Sequence, residues 1–145
     1  MNQKLLKKEA ENQKEVKLLK KKKMNETKPE MKTNIICRLQ VEGLHWWSEA
    51  SKHEPTMVYL ESPHRHMFYI EVKKAVFHDD RDVEFIVFKR KVKKYLEEKY
   101  YEVTYDLCNF KNKSCEMLAK ELLEEFDLTY CSVFEDNENG AEIYE

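Results

Sequence analysis

Three histidines have types and spacing that could do chemistry: His64 and His66 in LESPHRHMFYIEV, and His45 in EGLHWW, nineteen residues upstream of His64. Alternate residues of a β-strand project from one face, so His64 and His66 can present two imidazoles side by side, and a third from a paired strand completes a set of three nitrogens. Three histidines that leave a fourth position open are the ligand set of a catalytic zinc ion. Other reactive side chains stand apart. Cys115, near a predicted helix start, is a candidate nucleophile or base with a lowered pKa, against the plain alternative of a buried helix cysteine. His78, followed by Asp79 and Asp80, is a candidate carboxylate-oriented base, against polar residues that simply cap a turn. Glu135, at a predicted strand end, reads by itself as an exposed charge whose two oxygens can accept two donors at once. Trp46 and Trp47 offer faces to a planar ligand or to packing, and His53 falls in a loop.

These groups need elements to position them. In NIICRLQVEGLHWW, Ile35, Cys37, Leu39 and Val41 alternate with Ile36, Arg38, Gln40 and Glu42, which predicts a strand. Residues 48–58, polar and containing Pro55, predict a loop. HMFYIEVKKAVFH predicts a second strand. After the turn HDDRD, Phe85, Phe88, Val92, Tyr95, Leu96 and Lys99 fall at helical spacing. Ser114 is placed to cap a second helix, SCEMLAKELLEEF, with Leu118, Leu122 and Phe126 on one stripe. LTYCSVFE and AEIYE predict two short strands around residues 136–140, where Asn139-Gly140 is a hairpin signal. The order β-β-α-α-β-β predicts an α+β domain, with two helices on one face of a four-stranded antiparallel sheet.

Composition sets the outer bounds. With 145 residues and 41% hydrophobic side chains, the chain can bury one ordinary core, and nothing calls for a second domain. Residues 1–33 hold eleven Lys and five Glu, a net of +6 in a chain of net −2, so residues 34–145 carry −8. The basic stretch contains no aromatic residue and is expected to be a helical or disordered extension that cannot bury a face. Nucleic acid could be met only through this extension, and without aromatic interleaving a solubilising role is the simpler one. No apolar run approaches the roughly 20 residues of a membrane span, and no signal-peptide segment follows the lysines, so a cytoplasmic location is expected. Cys37, Cys108, Cys115 and Cys131 lack CxxC spacing and read as free thiols.

Taken in order, GLH, the PHRH strand, DVEF entering a helix, SCEMLAKELL and VFEDNENGAEIY resemble the six-pyruvoyl-tetrahydropterin synthase and six-carboxytetrahydropterin synthase family of tunnelling-fold (T-fold) proteins. That family shows a first His, an HGH on the second strand, an Asp-Phe pair before the first helix, a Thr-x-Glu opening the second, and a late Glu followed by Asn-rich sequence. The resemblance covers residues 34–145. It implies Zn2+ on His45, His64 and His66, a ring-anchoring carboxylate at Glu135 supported by Ser114 and Glu116, and trimers that pair as hexamers with sites at subunit boundaries. The chain departs from the pattern at two places. Leu60 stands where the family has its catalytic cysteine, and no Asp-His pair follows the first helix.

The resemblance therefore leads to a zinc-binding synthase-like protein that takes a pterin or purine nucleotide while lacking the usual proton-transfer residues. Were catalysis retained, it would be that of a zinc-dependent lyase on a dihydroneopterin triphosphate-like substrate, with Cys115 or His78 as a relocated base. The competing expectation is an inactive T-fold protein that sequesters a nucleotide or serves as a structural oligomer.

Overall fold

In a computed structural model of the chain, which describes residues 3–26 and 31–145, the alternating segment Thr33–His45 is strand β1 and the aromatic segment His64–Val76 is strand β2. Two compact units are present, Met1–Met31 and Lys32–Glu145. The first holds helix α1 (Gln3–Glu26), whose described side chains, residues 8–21, are all exposed. Residues 1, 2 and 27–30 of the basic stretch lie outside the described residues. No helix among the described residues is long and apolar enough to cross a membrane.

The second unit is α+β. Strands β1 and β2 pair antiparallel from Thr33↔Val76 to His45↔His64. Between them lies a short helix α2 (Ala50–His53), and after them comes helix α3 (Phe85–Tyr100), its first turn capped by Glu84, which accepts from Val87 N at 2.8 Å. Phe88, Val92 and Leu96, each four residues on, form its buried face. Helix α4 (Cys115–Phe126) is capped by Ser114, whose Oγ accepts from Met117 N at 3.2 Å, and buries Leu118, Ala119, Leu122 and Leu123. Its last carbonyls are met by Lys74 Nζ, 2.8 Å from Phe126 O and 3.1 Å from Asp127 O. Strands β5 (Tyr130–Glu135) and β6 (Asn139–Tyr144) complete an antiparallel run β1-β2-β5-β6, and both helices contribute to one core with Leu39, Val41, Phe68, Ile70, Val72 and Val133.

Three local expectations are corrected. The sheet has six strands, not four: β3 (Tyr101–Glu102) pairs antiparallel with β4 (Leu107–Lys111), which runs parallel to β1 over Gly43–His45. Two and five residues are too few for a period-two pattern to stand out. Within residues 48–58 lie α2 and the start of a 3-10 turn, Pro55–Glu61, in place of a loop. Glu54 caps that turn, its carboxylate accepting from Thr56 N at 3.2 Å, and Pro55 suits its first position. The β5–β6 turn is made by Asp136 and Asn137, with φ of 52° and 58°, rather than by Asn139-Gly140. Asp and Asn tolerate the left-handed region. Gly140 instead sits where the two strands press together, since a Cβ there would lie 2.6 Å from Phe134 Cα.

Candidate metal centre

The antiparallel register places His45 directly opposite His64, and Gly43 opposite His66. All three histidines project from the core face, at the end of the sheet where β4 joins β1. Their ligand nitrogens lie within 4.8 Å of one another, and the ring centroids are 4.6–5.2 Å apart. Phe68 forms the floor, edge-on to His45 at 5.3 Å and to Phe110 at 5.0 Å. Gly43 is required for this packing, because a Cβ there would lie 2.7 Å from Phe110 Cδ2 and 3.2 Å from Phe68 Cε2.

Each imidazole is oriented by one hydrogen bond from Nδ1. His45 Nδ1 lies 3.1 Å from Lys113 O, His64 Nδ1 lies 2.8 Å from Ser62 O, and His66 Nδ1 lies 2.6 Å from Asp136 Oδ2. A carbonyl or carboxylate oxygen can only accept, so each Nδ1 carries a proton, and in the neutral form of each ring Nε2 presents a lone pair. This outer partner is what metal-bound histidines use to fix tautomer and ring orientation. Burial pushes the pKa of His45 down, outweighing the pull of the Lys113 carbonyl and Glu135, so this ring stays neutral. Its Nε2 is buried and has no hydrogen-bond partner. Glu135 Oε1, 3.1 Å away, is a carboxylate oxygen and so itself an acceptor. An orphaned lone pair facing a carboxylate suits a cation, and the donor set of three imidazoles suits Zn2+.

A cleft of about 650 Å³ opens beside the histidines, bordered by Trp46, Trp47, Leu60, Ser114, Glu116 and Glu135. Its volume is in the range of small-molecule sites. Trp47 is stacked on His53, 5.1 Å between centroids and 28° between planes. Leu60 lies in this wall and takes an amide hydrogen bond from Trp47 on its carbonyl, 2.7 Å.

The remaining candidates divide. Glu135 reaches the centre, but its two oxygens turn to His45 Nε2 (3.1 Å) and His66 Nε2 (3.5 Å). Cys115 also reaches it, with Sγ donating to Glu135 Oε1 at 3.7 Å. Burial, joined by the charge of Glu135, pushes its thiol up to about 12. The expectation of an activated thiolate is corrected: desolvation and the adjacent carboxylate override the helix terminus. Ser114 is spent on the α4 cap, and Glu116 is exposed at the cleft. His78 is not brought to the site. It follows the far end of β2, and the twelve steps from His64 to Val76 span about 40 Å. There it pairs with Asp82, 3.3 Å away.

Sequence reasoning missed Asp136, Lys113 and the carboxylate behind Lys113. Glu121 accepts from Lys113 Nζ (2.7 Å), Lys99 Nζ (2.7 Å), Tyr95 Oη (2.8 Å) and Tyr100 Oη (2.6 Å). Burial raises the Glu121 carboxyl, but these four donors together outweigh it and bring it down to about 2. Asp136 was detectable as the acidic neighbour of Glu135; a backbone carbonyl such as that of Lys113 leaves no mark in a sequence.

No family model matches the chain, and no curated protein matches it. Among solved structures it is similar to the crystal structure of an uncharacterized protein from Wolinella succinogenes, with a TM-score of 0.50 and 11% identity, over 79% of this chain and 99% of that one. At that identity the likeness is one of fold.

Proposed function

We propose that this is a zinc-binding T-fold protein, similar to the six-pyruvoyl-tetrahydropterin and six-carboxytetrahydropterin synthases, that binds a pterin or purine nucleotide without the usual proton-transfer residues. One observation carries the metal reading: three Nδ1-anchored imidazoles converge, and the buried Nε2 of His45 has no partner. The antiparallel run β1-β2-β5-β6, with α3 and α4 sharing one core with it, supports an α+β domain, with β3 and β4 added between the two helices. Bound there, zinc would polarise a carbonyl or hydroxyl of a ligand lying in the cleft. The ligand's flat ring would lie against Trp46 and Trp47, and its amidine-like edge would meet Glu116, which is exposed at the opening.

Loss of the ordinary reaction is favoured by two features of the same wall. Leu60 has no proton to exchange, and the Cys115 thiol is held protonated. General acid–base catalysis needs a positioned group with a pKa near the working pH. Assembly as a trimer or hexamer is part of the proposal. Strand β1 from Thr33 to Glu42 has β2 as its one described partner, and β6 has β5, so both present edges that a second copy can pair.

Elemental analysis of purified protein, with a thermal-shift screen of pterins and guanine nucleotides, tests the proposal. The expected result is about one zinc per chain, lost in His64→Ala, and a shift with at least one ligand class. Metal-free protein, or occupancy indifferent to His64→Ala, would overturn it.

A further inference from the structure

We propose that the face of the sheet turned away from the core carries a second ligand site, which takes a small flat molecule bearing an anionic group. A cavity of about 470 Å³ opens there, bordered by Arg38, Tyr69, Glu71 and Phe134 of the sheet and by Lys89 and Lys93 of α3. Its volume is in the range of small-molecule sites. No histidine lines it. Arg38 lies between the buried Cys37 and Leu39, and Tyr69 between the buried Phe68 and Ile70, so both side chains leave the sheet on the face opposite the metal centre.

The sheet register builds the floor in two rows. Gln40, Tyr69, Phe134 and Gly140 stand opposite one another across β1, β2, β5 and β6, and Arg38, Glu71, Ser132 and Glu142 form the neighbouring row. Tyr69 and Phe134 are directly paired and partly buried, with the Cβ separation of about 5 Å that such pairs have. Gly140 leaves its place to the Phe134 ring, since a Cβ there would lie 2.9 Å from Phe134 Cγ. The outcome is an aromatic surface on an otherwise polar face, on which a flat ring can stack.

The second row and α3 supply the charge. Arg38 Nε donates to Glu71 Oε2 at 2.6 Å, and Glu71 Oε1 lies 3.7 Å from Lys73 Nζ. The carboxylate in the lining is thus matched by cations, and the terminal nitrogens of Arg38 can fork onto an anion. Lys89 and Lys93, one turn apart on α3, follow the buried Phe88 and Val92 and border the cavity beside Arg38. Lys93 has an exposed partner in Glu97, 3.7 Å away, and such a pair holds it weakly. Three cations against one carboxylate make a local positive patch in a region, residues 34–145, whose net charge is −8. Stacking surface and cations together favour a ligand that has both a ring and a negative charge. The volume suits one such ring with its anionic group, which favours a small molecule over a nucleic-acid strand.

Naphthalene-1-sulfonate, naphthalene-1-methanol and methanesulfonate separate ring from charge. Added to the nitrogen-15-labelled full chain, naphthalene-1-sulfonate should give saturable amide shifts centred on Arg38, Tyr69, Glu71 and Phe134, and should bind at least about tenfold more tightly than either of the other two. Its affinity should fall about tenfold in Lys89→Gln/Lys93→Gln and in Arg38→Gln, changes at exposed positions that leave the core intact. Lys94→Gln removes a charge from the same helix outside the cavity and should have no effect. Absence of saturable shifts on these amides, equal binding of the neutral alcohol, or an affinity unchanged in Lys89→Gln/Lys93→Gln would overturn the site. A short single-stranded oligothymidylate that binds more tightly on the same amides would make the face a nucleic-acid platform and overturn the small-molecule assignment.

Discussion

Asp136 holds His66 and the residue after it with one carboxylate: Oδ2 accepts from His66 Nδ1 at 2.6 Å, while Oδ1 accepts from the amide of Met67 at 3.0 Å. One carboxylate thus extends the β2–β5 ladder and aims an imidazole. Asp136 occupies the first left-handed position of the β5–β6 turn, φ 52°, so turn geometry and ligand geometry depend on the same residue.

Asp136→Asn should keep the turn, since Asn tolerates the left-handed region, but remove the anion that holds His66. Loss of such an outer partner typically costs about 10- to 100-fold in metal affinity. Competition with a chromophoric chelator should show a zinc affinity reduced by about that factor, with unchanged far-ultraviolet circular dichroism. Equal affinities would count against the orienting role of Asp136.

Gly43→Ala tests the floor of the site. The added methyl would run into the Phe110 ring and crowd Phe68, on which His45 rests. Overpacking of this kind costs about 1–3 kcal/mol. Urea unfolding of the metal-free protein should show that loss, and zinc affinity should fall with it because the floor shifts beneath two ligands. A variant as stable as wild type would mean that the aromatic pair can move aside freely.

Much of this arrangement was legible in the residues, and the division has physical causes. A period of two puts His64 and His66 on one face whatever else the chain does, and the antiparallel partner of His64 is His45. Ser114 marks a helix start by the chemistry of its side chain. Strands β3 and β4 were hidden because they are short, and β4 matters most, since it carries Phe110 and leads to the Lys113 carbonyl that orients His45. Asn139-Gly140 was a sound local signal that lost to Asp136-Asn137, because Gly140 is required where strands β5 and β6 approach too closely for a Cβ. For Cys115 the buried-helix reading holds and the activated-thiolate alternative does not, because burial, a property of the fold, decides its protonation.

The Glu121 network should govern acid stability. Its carboxyl lies at about 2 in the folded protein against the usual 4.5. A carboxyl depressed by folding contributes stability that is fully present above 4.5 and is lost as pH falls from there toward 2. Wild-type unfolding free energy should therefore drop through that window, and Glu121→Gln should flatten the drop while lowering stability at neutral pH, where Lys99 and Lys113 lose their shared counter-charge. Denaturant titrations at several pH values check this. A Glu121→Gln profile parallel to that of wild type would assign the acid sensitivity to other groups.

Catalysis separates the two ways this site can be used. The wall of the cleft carries Leu60, and its thiol, Cys115, is protonated beside Glu135, so neither can take a proton near neutral pH. Positioned acids and bases each contribute about 10²- to 10⁴-fold. Zinc-loaded protein given dihydroneopterin triphosphate should therefore turn it over slowly or undetectably, while a pterin or guanine nucleotide still raises the melting temperature. Turnover at a rate ordinary for the synthases, abolished by Cys115→Ala, would show that metal binding rearranges Glu135 and releases the thiol to act.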